Sequence, residues 1–155
     1  MKSLKFARIA AVALAAAASS AAFAAGSTQS LVVNATVTGA CLMNAIPAMN
    51  FTLDPTVGTN QTATSTVQYK CTNGTTPTIF TVGGSSTGSL TGSLANGALT
   101  MPIAFSWTQP TTAGSGLGAG VTPISVIVTG SILGTDYVNA AAGTYTQTIS
   151  VTVAP

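Results

Sequence analysis

Histidine and glutamate are absent from this 155-residue sequence, and charged residues make up only 4% of it. Hydrolysis by a serine or threonine needs a general base beside the nucleophile, and a metal site needs a cluster of ligands. The two carboxylates, Asp54 and Asp136, both lie in turn-like contexts, where aspartate usually caps a turn. The sequence therefore predicts no catalytic residues, no metal site and no cofactor, and it does not indicate an enzyme.

The first 24 residues have the pattern of a secretory signal peptide. Lys2, Lys5 and Arg8 form a positively charged segment, Ile9–Ala18 is a short apolar run, and Ala22-Phe23-Ala24 is a small-x-small cleavage site. The apolar run is too short and too rich in alanine for a stable membrane span. We expect cleavage after Ala24 and export of the mature chain.

Removal of this leader changes the charge balance. The mature chain keeps Lys70 against Asp54 and Asp136, a net charge of 1 − 2 = −1. A chain of this charge gives no support for nucleic acid or an anionic membrane as a partner. So few charges also leave little repulsion between copies of the same protein.

Two cysteines, Cys41 and Cys71, occur in this exported chain. Oxidising compartments permit disulfides, and the alternatives, metal ligation or a catalytic thiol, would need histidine partners that the sequence lacks. The sequence therefore predicts one structural disulfide between them.

A segment near the mature N-terminus, Ser27–Thr38, alternates between apolar and polar residues. Its apolar face comprises Leu31, Val33, Ala35 and Val37. Period-two alternation predicts a β-strand with one buried face. This strand could be the first of its own domain, or an arm that enters a neighbouring copy.

The remaining chain predicts short strands separated by glycine, proline and asparagine turns, with no helical period. An alternating or apolar pattern marks five segments: Thr62–Cys71, Thr78–Val82, Leu99–Trp107, Ile124–Val128 and Thr144–Val153. Gly83–Gly97 is expected to be a loop with at most a ragged edge strand, and Pro110–Gly120 a flexible loop. This organisation is typical of an antiparallel β-sandwich.

Several segments resemble the spore coat protein U domain family, which includes subunits of archaic chaperone–usher pili. The matching segments are Leu31–Cys41, Met49-Asn50-Phe51, Val67–Thr75 and Ala142–Thr148 followed by the alternating Ile149–Val153 terminus. The sequence departs from the family at Thr52, where glycine is usual, and at Gln147, where aspartate is usual. The family's tyrosine-rich central strand is here Ile103–Trp107.

The resemblance implies an all-β fold: an incomplete immunoglobulin-like antiparallel β-sandwich, completed by a donor strand from another chain. It implies a signal peptide at 1–24, a donor-strand arm at 25–38 and a pilin domain at 39–155. On this basis the donor-strand residues are Leu31, Val33, Ala35 and Val37. The candidates for the acceptor groove are Ile149, Val151 and Val153.

The function implied is that of a structural shaft subunit of a chaperone–usher pilus, exported through the periplasm to the cell surface for attachment and biofilm formation. Its expected partners are a periplasmic chaperone, an outer-membrane usher and other copies of itself, with no nucleic acid and no small-molecule substrate. One alternative is a self-contained secreted sandwich that binds carbohydrate or a surface through Trp107, Phe105 and Tyr69. Another is a structural protein of a spore or cell coat.

Overall fold

The computed structural model describes residues 26–155. The predicted signal peptide and Ala25 lie outside the described residues. The described chain forms strands and one short helix, and the predicted all-β architecture is confirmed. Its elements are β1 (Cys41–Met43), β2 (Gln61–Cys71), β3 (Ile79–Val82), β4 (Ser89–Asn96), β5 (Leu99–Trp107), β6 (Ile124–Ile132), α1 (Gly134–Tyr137) and β7 (Val151–Ala154).

The strands form two antiparallel sheets. Five of them pair in the order β1-β2-β6-β5-β4, and β3 pairs with β7. Apolar side chains from both sheets make one hydrophobic cluster, in which the ring centroids of Tyr69 and Phe80 lie 6.1 Å apart. The buried core follows the predicted alternation of β2, β5 and β6, because every second residue points inward: Val67, Tyr69, Cys71, Met101, Ile103, Phe105, Trp107, Val126, Val128 and Ile132.

The predicted disulfide is confirmed. Cys41 and Cys71 are directly opposite each other in the register of β1 and β2, and their sulfur atoms are bonded. The bridge fixes a first strand of only three residues to the long β2 strand.

Three local features differ from the sequence predictions. β4 is a regular eight-residue strand at the edge of the five-stranded sheet, paired along its whole length with β5, where a loop with at most a ragged edge strand was expected. The final strand, predicted from Thr144, is assigned only to Val151–Ala154. Gly134–Tyr137 forms a single helical turn, which is too short to leave a helical period in the sequence.

The compact unit that contains all the strands begins at Thr36. No strand or helix is assigned between residues 26 and 40, although the alternation there predicts a strand. A strand is defined by its pairing with a neighbour, so an alternating segment without such a partner is assigned none. None of the helices that residues 26–155 form is long and apolar enough to cross a membrane.

Candidate functional site: an open apolar groove

A groove of about 570 Å³ opens onto the hydrophobic core of the sandwich. One wall is the segment 46–53, here called the first rim, and the other is the segment 145–151, the second rim. The floor consists of core side chains from the five-stranded sheet: Val67, Ile103, Phe105, Val128 and Ile132. The groove is therefore apolar at its base and runs alongside two extended segments.

The first rim approaches the floor closely because position 130 is a glycine. A Cβ atom there would lie 2.5 Å from the Met49 sulfur and 2.9 Å from Cζ of Phe51. Met49, Phe51 and Leu53 are half-buried, while Thr52 between them is exposed. The first rim thus has the alternation of a strand, with its apolar side against the core.

A buried hydroxyl attaches the first rim to the floor. Ser65, on β2, is only 7% exposed, and its hydroxyl donates to the Pro47 carbonyl oxygen at 2.6 Å. A serine at an inward position of a strand needs such a partner, because an unpaired buried hydroxyl is costly. This bond explains how a polar residue occupies the inward face of β2.

The second rim shows the same alternation. Tyr145, Ile149 and Val151 are half-buried and line the groove, whereas Thr148 and Ser150 are exposed. These apolar side chains are only partly covered, although their spacing is that of a buried face. The open groove beside them accounts for this partial burial.

The backbone of both rims has few partners. The nearest hydrogen bonds between backbone groups lie outside the first rim, at Asn44 and at Asp54, and residues 45–53 make none. In the second rim, Thr146 pairs with Ala95 and the Ser150 carbonyl accepts from Gly83, while the N–H groups of residues 147–149 bond to no backbone carbonyl of the described chain. Both walls therefore present strand-like backbone that could pair with a further strand.

The sequence-predicted groove residues are only partly brought together. Ile149 and Val151 line the groove. Val153 does not; it is half-buried in β7, opposite Phe80 of β3. The sequence reasoning missed the floor and the first rim, for which the alternation of Phe51 and Leu53 was the available signal.

The predicted donor residues are all exposed. Leu31 is 87% exposed, Val33 78% and Val37 81%, and Ala35 is exposed as well. Large apolar side chains in a row with so much open surface are unusual in a monomeric protein and typical of a segment that binds elsewhere.

The few charged groups of the described chain do not form a reactive cluster. The Thr56 hydroxyl donates to the Asp54 carboxylate at 2.6 Å and the Thr56 N–H at 2.9 Å, and together they hold the pKa of Asp54 below its ordinary value. Asp136 lies in α1, and the Lys70 ammonium donates to the Gly118 carbonyl at 3.0 Å. Residues 26–155 contain no group of three or more His, Cys, Asp or Glu that could hold a metal.

The aromatic residues considered as a sugar platform are in the core. Tyr69 is 0% exposed, Phe105 7% and Trp107 8%. Sugar binding by stacking needs an accessible ring face, which these three side chains do not offer. Burial of Tyr69 also raises the pKa of its hydroxyl.

The described residues form an antiparallel two-sheet structure whose hydrophobic core opens into an apolar groove. The family model of the Spore Coat Protein U domain matches residues 27–152, and the chain belongs to that family. The match includes the alternating N-terminal segment as well as both rims. Comparisons with curated proteins and with solved structures returned no match. The family is one of structural domains of the pilus and coat type.

Proposed function

We infer that this protein is a shaft subunit of a chaperone–usher pilus, which polymerises by donor-strand exchange and serves surface attachment and biofilm formation. The single observation that carries this function is the groove, because it combines an apolar floor with two walls of largely unpaired backbone. An inserted strand would satisfy both walls at once.

The N-terminal segment has the dimensions of the missing strand. Leu31–Val37 and the second rim, Tyr145–Val151, are both seven residues, or about 23 Å when extended. Burying Leu31, Val33 and Val37 would contribute roughly 1.5–3 kcal/mol each. Each backbone hydrogen bond would add about 0.5–1.5 kcal/mol. The arm of another copy therefore has the length of the second rim and apolar side chains suited to the groove floor.

The geometry of this contact favours a filament. An arm and a groove are unlike surfaces, so a contact between them is head-to-tail and propagates instead of closing on itself. Residues 26–155 carry both an arm and a groove of this kind. No cofactor or small-molecule substrate enters this scheme.

Before assembly the groove would need protection. An open apolar slot with unpaired strand backbone promotes aggregation, so a periplasmic chaperone would lend a strand until an outer-membrane usher exchanges it for the next subunit's arm. The signal-like leader supports export by this path. The finished filament would be extracellular.

A coat structural protein is the second candidate, because the matching family model is that of the Spore Coat Protein U domain. It would use the same fold and the same groove, and its assembly would remain on the cell or spore instead of projecting from it. Immunogold microscopy of the exported native chain separates the two, since label on thin projecting filaments supports the pilus and label confined to the surface layer supports the coat.

The donor-strand proposal is tested by removing the arm and restoring it as a peptide. A mature chain that starts at Gly39 is refolded alone, with a peptide of residues Ser27–Thr38, and with the same peptide carrying Val33→Asp and Val37→Asp. We expect a stable sandwich by circular dichroism and thermal melting only with the native peptide. Equal stability without peptide would mean that the arm completes nothing.

A further inference from the structure

The outward-facing side chains of β2, β4, β5 and β6 form a surface that the proposed function does not use. Its central row, in register across the four strands, is Thr64, Thr129, Ser106 and Ser89. The next row is Thr62, Ser131, Ala104 and Thr91. We call this surface the hydroxyl face. Its hydroxyl groups take part in none of the side-chain hydrogen bonds found in the described chain.

The hydroxyl face differs from an ordinary solvated sheet in its lack of charge. About 25% of the residues of a typical soluble domain are charged, and most of these lie on its surface. The exposed positions of these four strands carry none, and the one charged residue near the end of β2, Lys70, is half-buried with its ammonium bonded to the Gly118 carbonyl. Ile127, 59% exposed, adds an apolar side chain beside Thr66.

These properties make the hydroxyl face complementary to itself. A serine or threonine hydroxyl both donates and accepts, so two such faces can bond in several registers, and no like charges oppose their approach. The face has no aromatic side chain on which a sugar ring could stack. A second copy of this surface therefore suits it better than a glycan does.

The size of the hydroxyl face sets the strength of this contact. Four strands spaced about 4.8 Å apart and eight residues long cover roughly 500 Å² on each copy. The total of about 1,000 Å² is in the range of weak, transient interfaces. One subunit would not form a stable dimer this way. A row of subunits in a filament would bind through many such contacts at once, and avidity would multiply them.

We propose that the hydroxyl face is a lateral contact, through which one filament binds the same face of a second filament, so that filaments associate into bundles. This inference rests on the proposed function, because it needs subunits held in a row. It adds a second, weaker self-interaction to the donor-strand contact and gives biofilm formation a physical basis.

The test uses filaments of the full mature chain. Thr64→Lys with Ser106→Lys places two like charges on the hydroxyl face, and Thr64→Glu with Ser106→Glu places two of the opposite sign. A matched control, Asn73→Lys with Thr76→Lys, adds the same charge on exposed residues of the loop that follows β2. Bundles and single filaments are counted by negative-stain electron microscopy, and association is followed by light scattering at low and high salt.

We expect the native chain and the loop control to form bundles, and both face variants to give single filaments at low salt. Mixing filaments of the lysine variant with filaments of the glutamate variant should restore bundles, because opposite charges then face each other. High salt should disperse these mixed bundles by screening the charges. If the double variants do not form filaments, the single variants Ser106→Lys and Ser106→Glu are tested in their place, and the expected results are the same.

Three results would overturn the inference. Native filaments that stay single, face variants that bundle like the native chain, or a loop control that disperses equally would each show that the hydroxyl face is not the contact. In all three cases filaments are present and the proposed pilus function stands. A native chain that forms no filament at all contradicts the proposed function, and the lateral contact with it.

Discussion

The buried hydroxyl of Ser65 donates to the carbonyl oxygen of Pro47 at 2.6 Å and so joins β2 to the first rim of the groove. Since residues 45–53 make no backbone hydrogen bond within the described chain, this side-chain bond and apolar packing position the rim. We expect Ser65→Ala to lower the free energy of unfolding by about 0.5–1.5 kcal/mol. Urea denaturation of the domain from Gly39, refolded with the Ser27–Thr38 peptide, measures the change, and the same complex serves for the stability measurements that follow.

Ser106→Ala is the matched control for that substitution. Ser106 is an exposed serine on β5 whose hydroxyl has no partner in the described chain, so its loss should change stability by less than about 0.5 kcal/mol. Equal effects of the two substitutions would show that the Ser65 bond does not stabilise the rim.

Gly130 controls how closely the first rim packs on the floor. An added Cβ would overlap Met49 and Phe51, so Gly130→Ala should cost about 1–3 kcal/mol of stability. In the double variant with Met49→Ala, part of the overlap is relieved. The double variant should therefore lose less stability than the sum of the losses of the two single variants. Thermal and urea melts of the four chains give this coupling directly.

Gly120→Ala is the control for the glycine substitution. A Cβ at position 120 meets nothing within 4 Å, and its backbone is not in the left-handed region, so the change should be neutral or slightly stabilising. Additive costs of Gly130→Ala and Met49→Ala would contradict the close packing of the rim.

Removal of the disulfide should destabilise the folded chain. Cys41 and Cys71 are 30 residues apart, and a bridge over this separation contributes about 3–4 kcal/mol by the loop-entropy estimate. We expect that loss in urea titrations of the Cys41→Ala, Cys71→Ala double variant. Dithiothreitol should shift the urea midpoint of the native chain to that of the variant and leave the variant's midpoint unchanged. A shift in both chains would show that the reductant does not act through this disulfide.

Stability should be nearly independent of pH between about 5 and 9, because the chain has no histidine or glutamate that titrates there. The lowered pKa of Asp54 means that its contribution is present above its ordinary value of 3.8 and is lost as the pH falls through the folded-state pKa. The pKa of Tyr69 is raised from 10.0, so the unfolded chain releases that proton first and stability falls above pH 10.0.

Thermal midpoints measured from pH 2 to pH 11 test this profile. Asp54→Asn should flatten its acid limb and Tyr69→Phe its alkaline limb. Tyr69→Phe should cost little at neutral pH, because the buried hydroxyl has no hydrogen-bond partner in the described chain. A change in the thermal midpoint of the native chain near pH 6–7 would contradict the attribution of its pH dependence to Asp54 and Tyr69.

The strands that were predicted best are those that pack one face against the hydrophobic core, because this packing requires an alternation of apolar and polar residues. On β2, Val67, Tyr69 and Cys71 face inward as predicted, because the pleat leaves no other way to bury them. The disulfide followed from compartment and composition. These inferences need only local pattern or residue type.

The errors arise where neighbours decide the structure. The segment of β4, with Gly92 inside it, was predicted as a loop with at most a ragged edge strand. A Cβ at Gly92 would lie 2.6 Å from the Gln147 amide oxygen, so that glycine makes room for the second rim. The second rim itself has the alternation of a strand, but no strand is assigned in it before Val151. A strand is assigned only where the backbone pairs continuously with a neighbouring strand. The groove floor depends on contacts between distant strands, which no local pattern contains.

Cysteine cross-linking tests which face of the arm enters the groove. If Val33 and Ala35 point into the groove, Asn34 points outward, on the same side as Thr146, Thr148 and Ser150 of the second rim. Opposed residues on paired strands have Cβ atoms about 4.5–5.5 Å apart, close enough for a disulfide after small adjustments. Asn34→Cys is therefore combined, in separate chains, with Thr146→Cys, Thr148→Cys or Ser150→Cys.

We expect one of the three pairs to give a ladder of covalent oligomers on non-reducing gels, because each bond joins the arm of one subunit to the rim of the next. The pair with the strongest ladder defines the register of insertion. Val33→Cys combined with the same rim cysteines should give no ladder, since its side chain would lie against the groove floor, and Asn34→Cys with Thr112→Cys controls for random collisions. A ladder from Val33→Cys in place of Asn34→Cys would mean that the even-numbered face of the arm is buried, and that Val32, not Val33, fills the groove.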